Sequence, residues 1–361
     1  MSKGKAIVIG AGIHGIAAAF SLADEGMEVT VLERNGDLLQ GTSRATQGRA
    51  HAGYHYPRSL ETARECQEGL EHFKFYYYEC LFYPEEVYYA VAKEGSKITP
   101  EDFAAFCDSL KIQYQPKWPS PRFLHRENIA ESFLCEEPVI CLQPLKERLL
   151  RQLEQKKVVL HFGEAITGVE QVNGQPLLLT PVGKYVADLI INATYTEANN
   201  ILKLLGVEAG YPEYTFHTTE VLRVKVPGKI PAITVMDGAF VSILPDADYG
   251  LKIHRIYHAE HSIIHKTKGL FYSHPSILLS NANLIMEGFA KFFPFAGRVK
   301  YLNSCFGSRP IPWEAVGDSR QTRIFSFPSF QGLYSIHEGK FISAFTTASW
   351  MIETIKRDGL L

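Results

Sequence analysis

An α/β fold, with a split doubly wound sheet and a second mixed-sheet unit, is predicted by three features of this sequence. Residues 6 to 33 read as a short apolar strand, a glycine-punctuated turn, an alanine-rich helix and a β-branched strand, the opening order of a doubly wound sheet. A second strand, helix, strand block begins near Pro138. Between 211 and 265 the chain becomes richer in strands and turns, so the alternation is interrupted. The segments 1–79, 136–206 and 301–361 are therefore assigned to the doubly wound domain, and 80–135 with 207–300 to the second.

Each element has a local reason. Ala6 to Ile9 is an apolar run suited to a buried parallel strand, and IAAAFSLAD after the glycines is rich in helix formers. Gly26 is a helix stop, and MEVTVL is a strand ending at Glu33. Ser59 to Tyr78 reads as a helix and PEEVYYAVA as a strand. Thr99-Pro100-Glu101-Asp102 is a helix start: Thr99 caps, Pro100 suits the first position, and Phe103, Phe106 and Leu110 share the covered face. Leu145, Leu149 and Leu153 recur every four residues and define one helix face. VADLIINAT is a buried strand, TEANNILKLLG a helix closing at Gly206, residues 275 to 295 a helix, and Ser343 to Arg357 the last helix.

Composition narrows the function. The 361 residues are 46% hydrophobic, enough for substantial cores. With 37 basic and 39 acidic residues the net charge is -2, which supplies no global attraction to nucleic acid or anionic lipid. Six cysteines without a close CxxC pair read as reduced thiols, and the opening MSKGKAIVIGAG enters a strand directly, with no apolar leader or integral membrane segment. The expectation is a cytoplasmic protein.

Gly10-Ala11-Gly12-Ile13-His14-Gly15 lies between a strand and a helix, with Glu33 ending the next strand. Glycines let the turn bend, let a pyrophosphate approach the backbone and let the helix pack closely. The free amides and positive end of the helix stabilise that anion, and Glu33 can accept hydrogen bonds from an unphosphorylated ribose. This turn alone does not separate FAD from NAD.

The following GTSRATQGRAHAGYHYPRSLETARECQEG is more specific. It resembles the flavin-facing segment of the D-amino acid oxidase-like FAD-dependent oxidoreductases. His51-Ala-Gly53, Tyr56, Ser59-Leu60, Ala63-Arg64, Cys66 and Gly69 resemble the branch containing L-2-hydroxyglutarate dehydrogenases. INATYTEANNILKLLG, GSRPIP and FPSFQGLYSIHEGKFISAFTTASWM are similar to later landmarks of the family. The resemblance implies an FAD-binding domain in the doubly wound segments and a substrate domain over the flavin's reactive face. It further implies hydride transfer from a carbon bearing an alcohol or amine, with reoxidation by oxygen or another acceptor. Thr46 stands where that branch has an asparagine, and Gln331 to Ser335 lacks the glycine-histidine arrangement of amine oxidases.

On this basis Gly10, Gly12, Gly15, Glu33, Arg34, Thr42, Ser43, Gly48, Thr194, Gly332, Leu333 and Tyr334 are expected to bind FAD. His51 is the candidate base, because an imidazole with an ordinary pKa of about 6.5 is partly neutral at physiological pH. His55, Tyr56 and Arg309 are expected to hold the donor, Arg309 through a bidentate pair with a carboxylate. A small carboxylate-bearing alcohol is the first expectation, an amino acid or secondary amine the second, and a non-enzymatic flavoprotein or dinucleotide sensor the third. Arg44, Arg49 and Arg58 compete as anion anchors, Glu136-Glu137 reads as a solvated pair, and His254, His258, His261 and His265 read as a packed or solvated cluster with no metal.

Overall fold

The computed structural model describes residues 3–172, 175–250, 252–269, 278–313, 321–337 and 339–361. A six-stranded sheet forms one layer, in the spatial order Arg323–Phe327, Phe330–His337, Leu189–Asn192, Lys5–Ile9, Glu28–Glu33 and Val159–Phe162. Five of these strands are parallel, and Arg323–Phe327 runs antiparallel at one edge. The order places Lys5–Ile9 at the centre, so the glycine turn that follows it opens at the carboxyl end of the parallel strands. Open α/β sheets bind ligands there.

Ile13–Asp24 packs between this sheet and the C-terminal helix Ala344–Arg357, burying Ile13, Ile16, Ala17, Phe20 and Leu22 against Met351 and Ile355. Gly26 follows with a φ of 88°, which a residue with a Cβ resists. Leu145, Leu149 and Leu153 are the buried residues of Leu142–Gln155, and each contributes about 1.5–3 kcal/mol by burial. Thr99 caps Pro100–Leu110 in a full capping box with Asp102.

A nine-stranded mixed sheet forms the second layer. Its longest partners, Tyr214–Lys225 and Lys300–Pro312, pair antiparallel from Tyr214 opposite Pro312 to Lys225 opposite Lys300. This corrects the assignment of residues 301–312 to the doubly wound segments: a continuous ladder of backbone hydrogen bonds holds them in the other sheet, and only after residue 321 does the described chain return to the first. Val87–Ala92, Ile129–Cys135 and the edge strand Tyr114–Pro116 add the 80–135 segment to that sheet. The helix expected over 275–295 spans Ala282–Ala290, and residues 275–277 of that expectation lie outside the described residues.

Candidate active site

A cavity of about 510 Å³ runs from the carboxyl end of the six-stranded sheet to the nine-stranded sheet. That size is in the range of small-molecule sites. One end is walled by Gly10, Gly12, Glu33 and Arg34, and the other by His51, His55, Tyr56, Tyr257 and Arg309.

The glycine end is shaped by backbone geometry. Gly10 has a φ of 100°, and a Cβ on Gly15 would stand 1.9 Å from the Gly10 carbonyl oxygen. Gly15 is therefore required where helix meets strand and does not line the cavity. Gly12 does line it, and a Cβ there would meet nothing nearer than Ser43 Oγ at 3.6 Å. The helix beginning at Ile13 takes no cap from its N-cap residue Gly12 and has no acidic residue in its first turn, which leaves most of its positive end to an anion. Ser43 Oγ accepts the Ile13 amide at 3.4 Å, and the Thr42 hydroxyl donates to the Ser308 carbonyl at 2.8 Å, so both residues close the turn.

Glu33 is buried and fixed on both oxygens. Oε2 accepts the Ala11 amide at 2.7 Å, while Oε1 accepts the Asn35 backbone amide at 2.8 Å and its side chain at 2.6 Å. Oε2, which accepts one bond, keeps a second lone pair for a ribose hydroxyl, while both lone pairs of Oε1 are taken by Asn35. Arg34 also lines the cavity, but its guanidinium donates to Glu197 at 2.9 Å, and Asn200 braces the other Glu197 oxygen at 2.6 Å. Thr194 reaches the cavity with its hydroxyl donating to Asn192 Oδ1 at 2.6 Å. The cradle at Gly12, the uncapped helix end and the poised carboxylate fit FAD's pyrophosphate and ribose.

Four residues assigned to cofactor contact besides Gly15 lie away from the cavity. Gly332 has a φ of 83°, and a Cβ there would stand 2.5 Å from the Asp188 carbonyl oxygen. Leu333 and Tyr334 are buried in apolar clusters on the same strand, with the Tyr334 hydroxyl donating to Asp358. The C-terminal segment instead meets the cavity further on, at Ile336, Gly339, Lys340 and Phe341. Gly48, with a φ of 78°, packs its backbone on Val139 and Ile140, its carbonyl accepting the Ile140 amide at 2.7 Å.

At the far end, the rings of His51, His55 and Tyr56 form one cluster with centroids 5.1–5.4 Å apart, and the Tyr56 hydroxyl lies 3.2 Å from His51 Nε2. Lys340, largely buried, holds its ammonium 4.5 Å from the Tyr56 ring centroid, a cation–π distance. Arg309 rides on the strand Lys300–Pro312, its guanidinium 5.9 Å from the Tyr257 ring centroid. Arg309 Nε and the Tyr257 hydroxyl are both buried and take no hydrogen bond among the described residues.

The three competing arginines separate. Arg44 is held by Gln40 on the surface and Arg58 pairs with Asp237. Arg49 lines the cavity but pairs with Glu137, and its second nitrogen donates to Thr234 at 2.7 Å. Glu137 is therefore buried, against the expectation of a solvated pair, because a cation 88 residues earlier folds onto it. Burial disfavours the charge on Arg49, yet Tyr89 and Glu137 together hold it above its ordinary range.

Tyr257, Thr219 and Val221 were not anticipated because residues 211 to 300 carry no local motif. Lys340 and Gly339 were within reach: they follow seven or eight residues after Gly332, in the segment already similar to a flavin-binding turn. Among the described residues no group of three histidine, cysteine, aspartate or glutamate side chains could hold a metal, and His258 and His261 stack on each other at 4.1 Å. All six cysteines are free thiols, and no helix among the described residues is long and apolar enough to cross a membrane.

Fold and site together define a flavin-dependent redox protein, with a glycine-turn cradle that opens into a polar cavity. The chain belongs to the DAO family, FAD dependent oxidoreductase, whose model matches residues 5–351. It is 27% identical over 261 residues to the FAD-dependent monooxygenase kojA of Aspergillus flavus, an alignment covering 70% of this chain and 61% of that relative. Glycine oxidase from Geobacillus kaustophilus has a TM-score of 0.77 at 15% identity, covering 98% of this chain and 95% of that one. L-proline dehydrogenase from P. horikoshii has a TM-score of 0.77 at 15% identity, covering 99% and 94%. These two share the fold.

Proposed function

We propose that this FAD-dependent oxidoreductase oxidises a small carboxylate-bearing amine, an amino acid or a secondary amine. The observation that carries the reading is the pair of unsatisfied polar atoms, Arg309 Nε and the Tyr257 hydroxyl, on a cavity wall shared with His51, His55 and Tyr56. A buried donor left unpaired costs about 1–3 kcal/mol, and a carboxylate bound to both atoms recovers that cost. The amine is preferred because glycine oxidase and L-proline dehydrogenase share the fold and are named for such donors.

FAD, when bound, supplies a two-electron acceptor for a hydride. Arg309 and Tyr257 hold the carboxylate, which fixes the adjacent carbon in one orientation. His51 Nε2 takes the proton from the donor's ammonium group, leaving the neutral amine that can release a hydride from carbon. The resulting iminium reacts with water to give a carbonyl compound and free amine.

A carboxylate-bearing alcohol is the second reading, supported by His51 beside the Tyr56 hydroxyl and by the resemblance of residues 51–69 to L-2-hydroxyglutarate dehydrogenases. There His51 takes the hydroxyl proton as the hydride leaves.

Anaerobic mixing of the flavin-loaded protein with amino acids, N-alkyl amino acids and 2-hydroxy acids tests both readings through bleaching of the flavin. Reduction by amines and not by hydroxy acids is expected. Reduction by hydroxy acids alone selects the second reading, and reduction by neither class rejects both. Readmitting oxygen then reports whether oxygen is the acceptor.

A further inference from the structure

Glu137 is placed to do more than neutralise a buried arginine. Its Oε1 accepts the backbone amide of Ala52 at 3.0 Å, and its Oε2 receives the Arg49 guanidinium and the Tyr89 hydroxyl. One carboxylate thus grips the chain on both sides of His51. Neighbouring backbone bonds extend the hold: Ala50 N–H donates to the Pro138 carbonyl at 3.0 Å, and Arg49 bridges to Val139. Arg49 itself lines the cavity, while Arg309 has no carboxylate partner among the described residues.

We infer that Glu137 is a positioning residue that fixes the His51 segment and, by cancelling the Arg49 charge, leaves Arg309 as the guanidinium available to a donor carboxylate. The inference rests on the proposed carboxylate-binding role of Arg309, but its two components are physical and separately measurable. With the pair intact, the Arg49 side of the cavity is close to neutral. With Glu137 replaced by an uncharged residue, a guanidinium in a low-dielectric wall faces the cavity uncompensated. Such a charge favours the reduced, more negative form of a bound flavin and attracts carboxylates to the wrong wall. The loss of Ala52's acceptor frees the peptide bearing His51 independently of charge.

The test compares Glu137→Gln with the double variant Arg49→Met/Glu137→Met, which replaces the pair by apolar side chains of similar length and avoids an orphaned charge. The midpoint potential of the bound flavin is read by dye-coupled reduction, which needs no donor. Amide hydrogen exchange over residues 49–56 is read in the same proteins. Glu137→Gln is expected to move the potential in the positive direction, and the double variant to return it close to wild type. The double variant, which has no acceptor for Ala52, is expected to exchange its 49–56 amides at least about tenfold faster. An unchanged potential in Glu137→Gln, or a shift that persists in the double variant, overturns the charge-cancelling role. Unchanged exchange in the double variant overturns the positioning role. If Glu137→Gln does not fold, the double variant decides alone: accelerated exchange with a wild-type potential supports the inference, and any other result overturns it. Because neither measurement uses a donor, a failed donor screen cannot be mistaken for failure of this role.

Discussion

His14 Nε2 donates to the Lys340 carbonyl at 3.1 Å, joining the first glycine turn to the last cavity-lining segment across 326 residues. His14 lies inside the glycine turn at one end of the cavity, and Lys340 carries its ammonium to the Tyr56 ring at the other end. Burial lowers the pKa of His14, and because the Lys340 carbonyl can only accept, Nε2 carries the proton of this bond. The two ends of the cavity are therefore coupled through one imidazole, which explains how distant parts of the chain build a continuous site.

Gly12 and Gly15 are expected to respond differently to the same substitution. Gly15→Ala drives a Cβ into the Gly10 carbonyl and should prevent or severely destabilise folding. Gly12→Ala meets only ordinary contact, and Gly12 has a φ of -69° that alanine tolerates. It should leave the melting temperature of the FAD-free protein nearly unchanged while weakening FAD binding by about tenfold or more, because the added methyl occupies the pyrophosphate cradle. Thermal melts of apoprotein together with FAD titration separate the two outcomes. An equal loss of apoprotein stability in both variants would place Gly12 with Gly15 as a packing residue.

Arg309 and His51 should affect different classes of donor. Arg309→Met should weaken carboxylate-bearing donors by about 10²-fold or more in kcat/KM and leave matched neutral donors nearly unaffected. His51→Gln should slow flavin reduction at saturating donor by about 10²-fold, the lower range of a general base. Rapid anaerobic reduction kinetics with paired charged and neutral donors check both. Equal losses across the donor pair in the arginine variant would reject selective carboxylate anchoring.

Stability should fall as the pH drops from about 6.5 toward 4. Burial lowers His254 and His258 to about 4 and His337 to about 3, all below the ordinary 6.5. A folded-state pKa below the unfolded value means the unfolded chain binds protons first, so stability is full above the unfolded pKa and is lost through this window. Each group is worth on the order of a few kcal/mol when fully titrated. His337 Nδ1 lies 2.9 Å from the Tyr214 hydroxyl and Nε2 2.8 Å from Ser335 Oγ, so both ring nitrogens have buried partners. Urea midpoints at pH 7 and pH 5 should differ, and His337→Gln should reduce the difference while lowering stability at pH 7. A pH-independent midpoint would contradict the assignment.

Local chemistry alone made much of the first domain readable. A glycine turn between an apolar strand and an alanine-rich helix has few alternatives, and Glu33 at the end of the next strand follows from the same unit. The Thr99 cap, the leucine face of Leu142–Gln155 and the stops at Gly26 and Gly206 are interactions within a few residues, and short sequence windows record them. That His51, His55 and Tyr56 lie together on the cavity wall was legible for a similar reason: one irregular segment carries all three.

Tertiary structure decided the rest. The burial of Glu137 depends on Arg49 arriving from another segment, and no spacing rule relates positions so far apart. Tyr257 joins Arg309 only because their strands both belong to the sheet around Tyr214–Lys225, which brings residues without a shared motif to one wall. Gly332 and Gly339 look alike in sequence, but the first meets the Asp188 carbonyl and the second the cavity, a difference set by how deeply the final strand enters the sheet. The sequence by itself determined the nucleotide cradle, because a turn and a helix end are built from neighbouring residues. The far wall of the cavity was decided by strand pairing across the whole chain, since Tyr257 and Arg309 meet only after the nine-stranded sheet has formed.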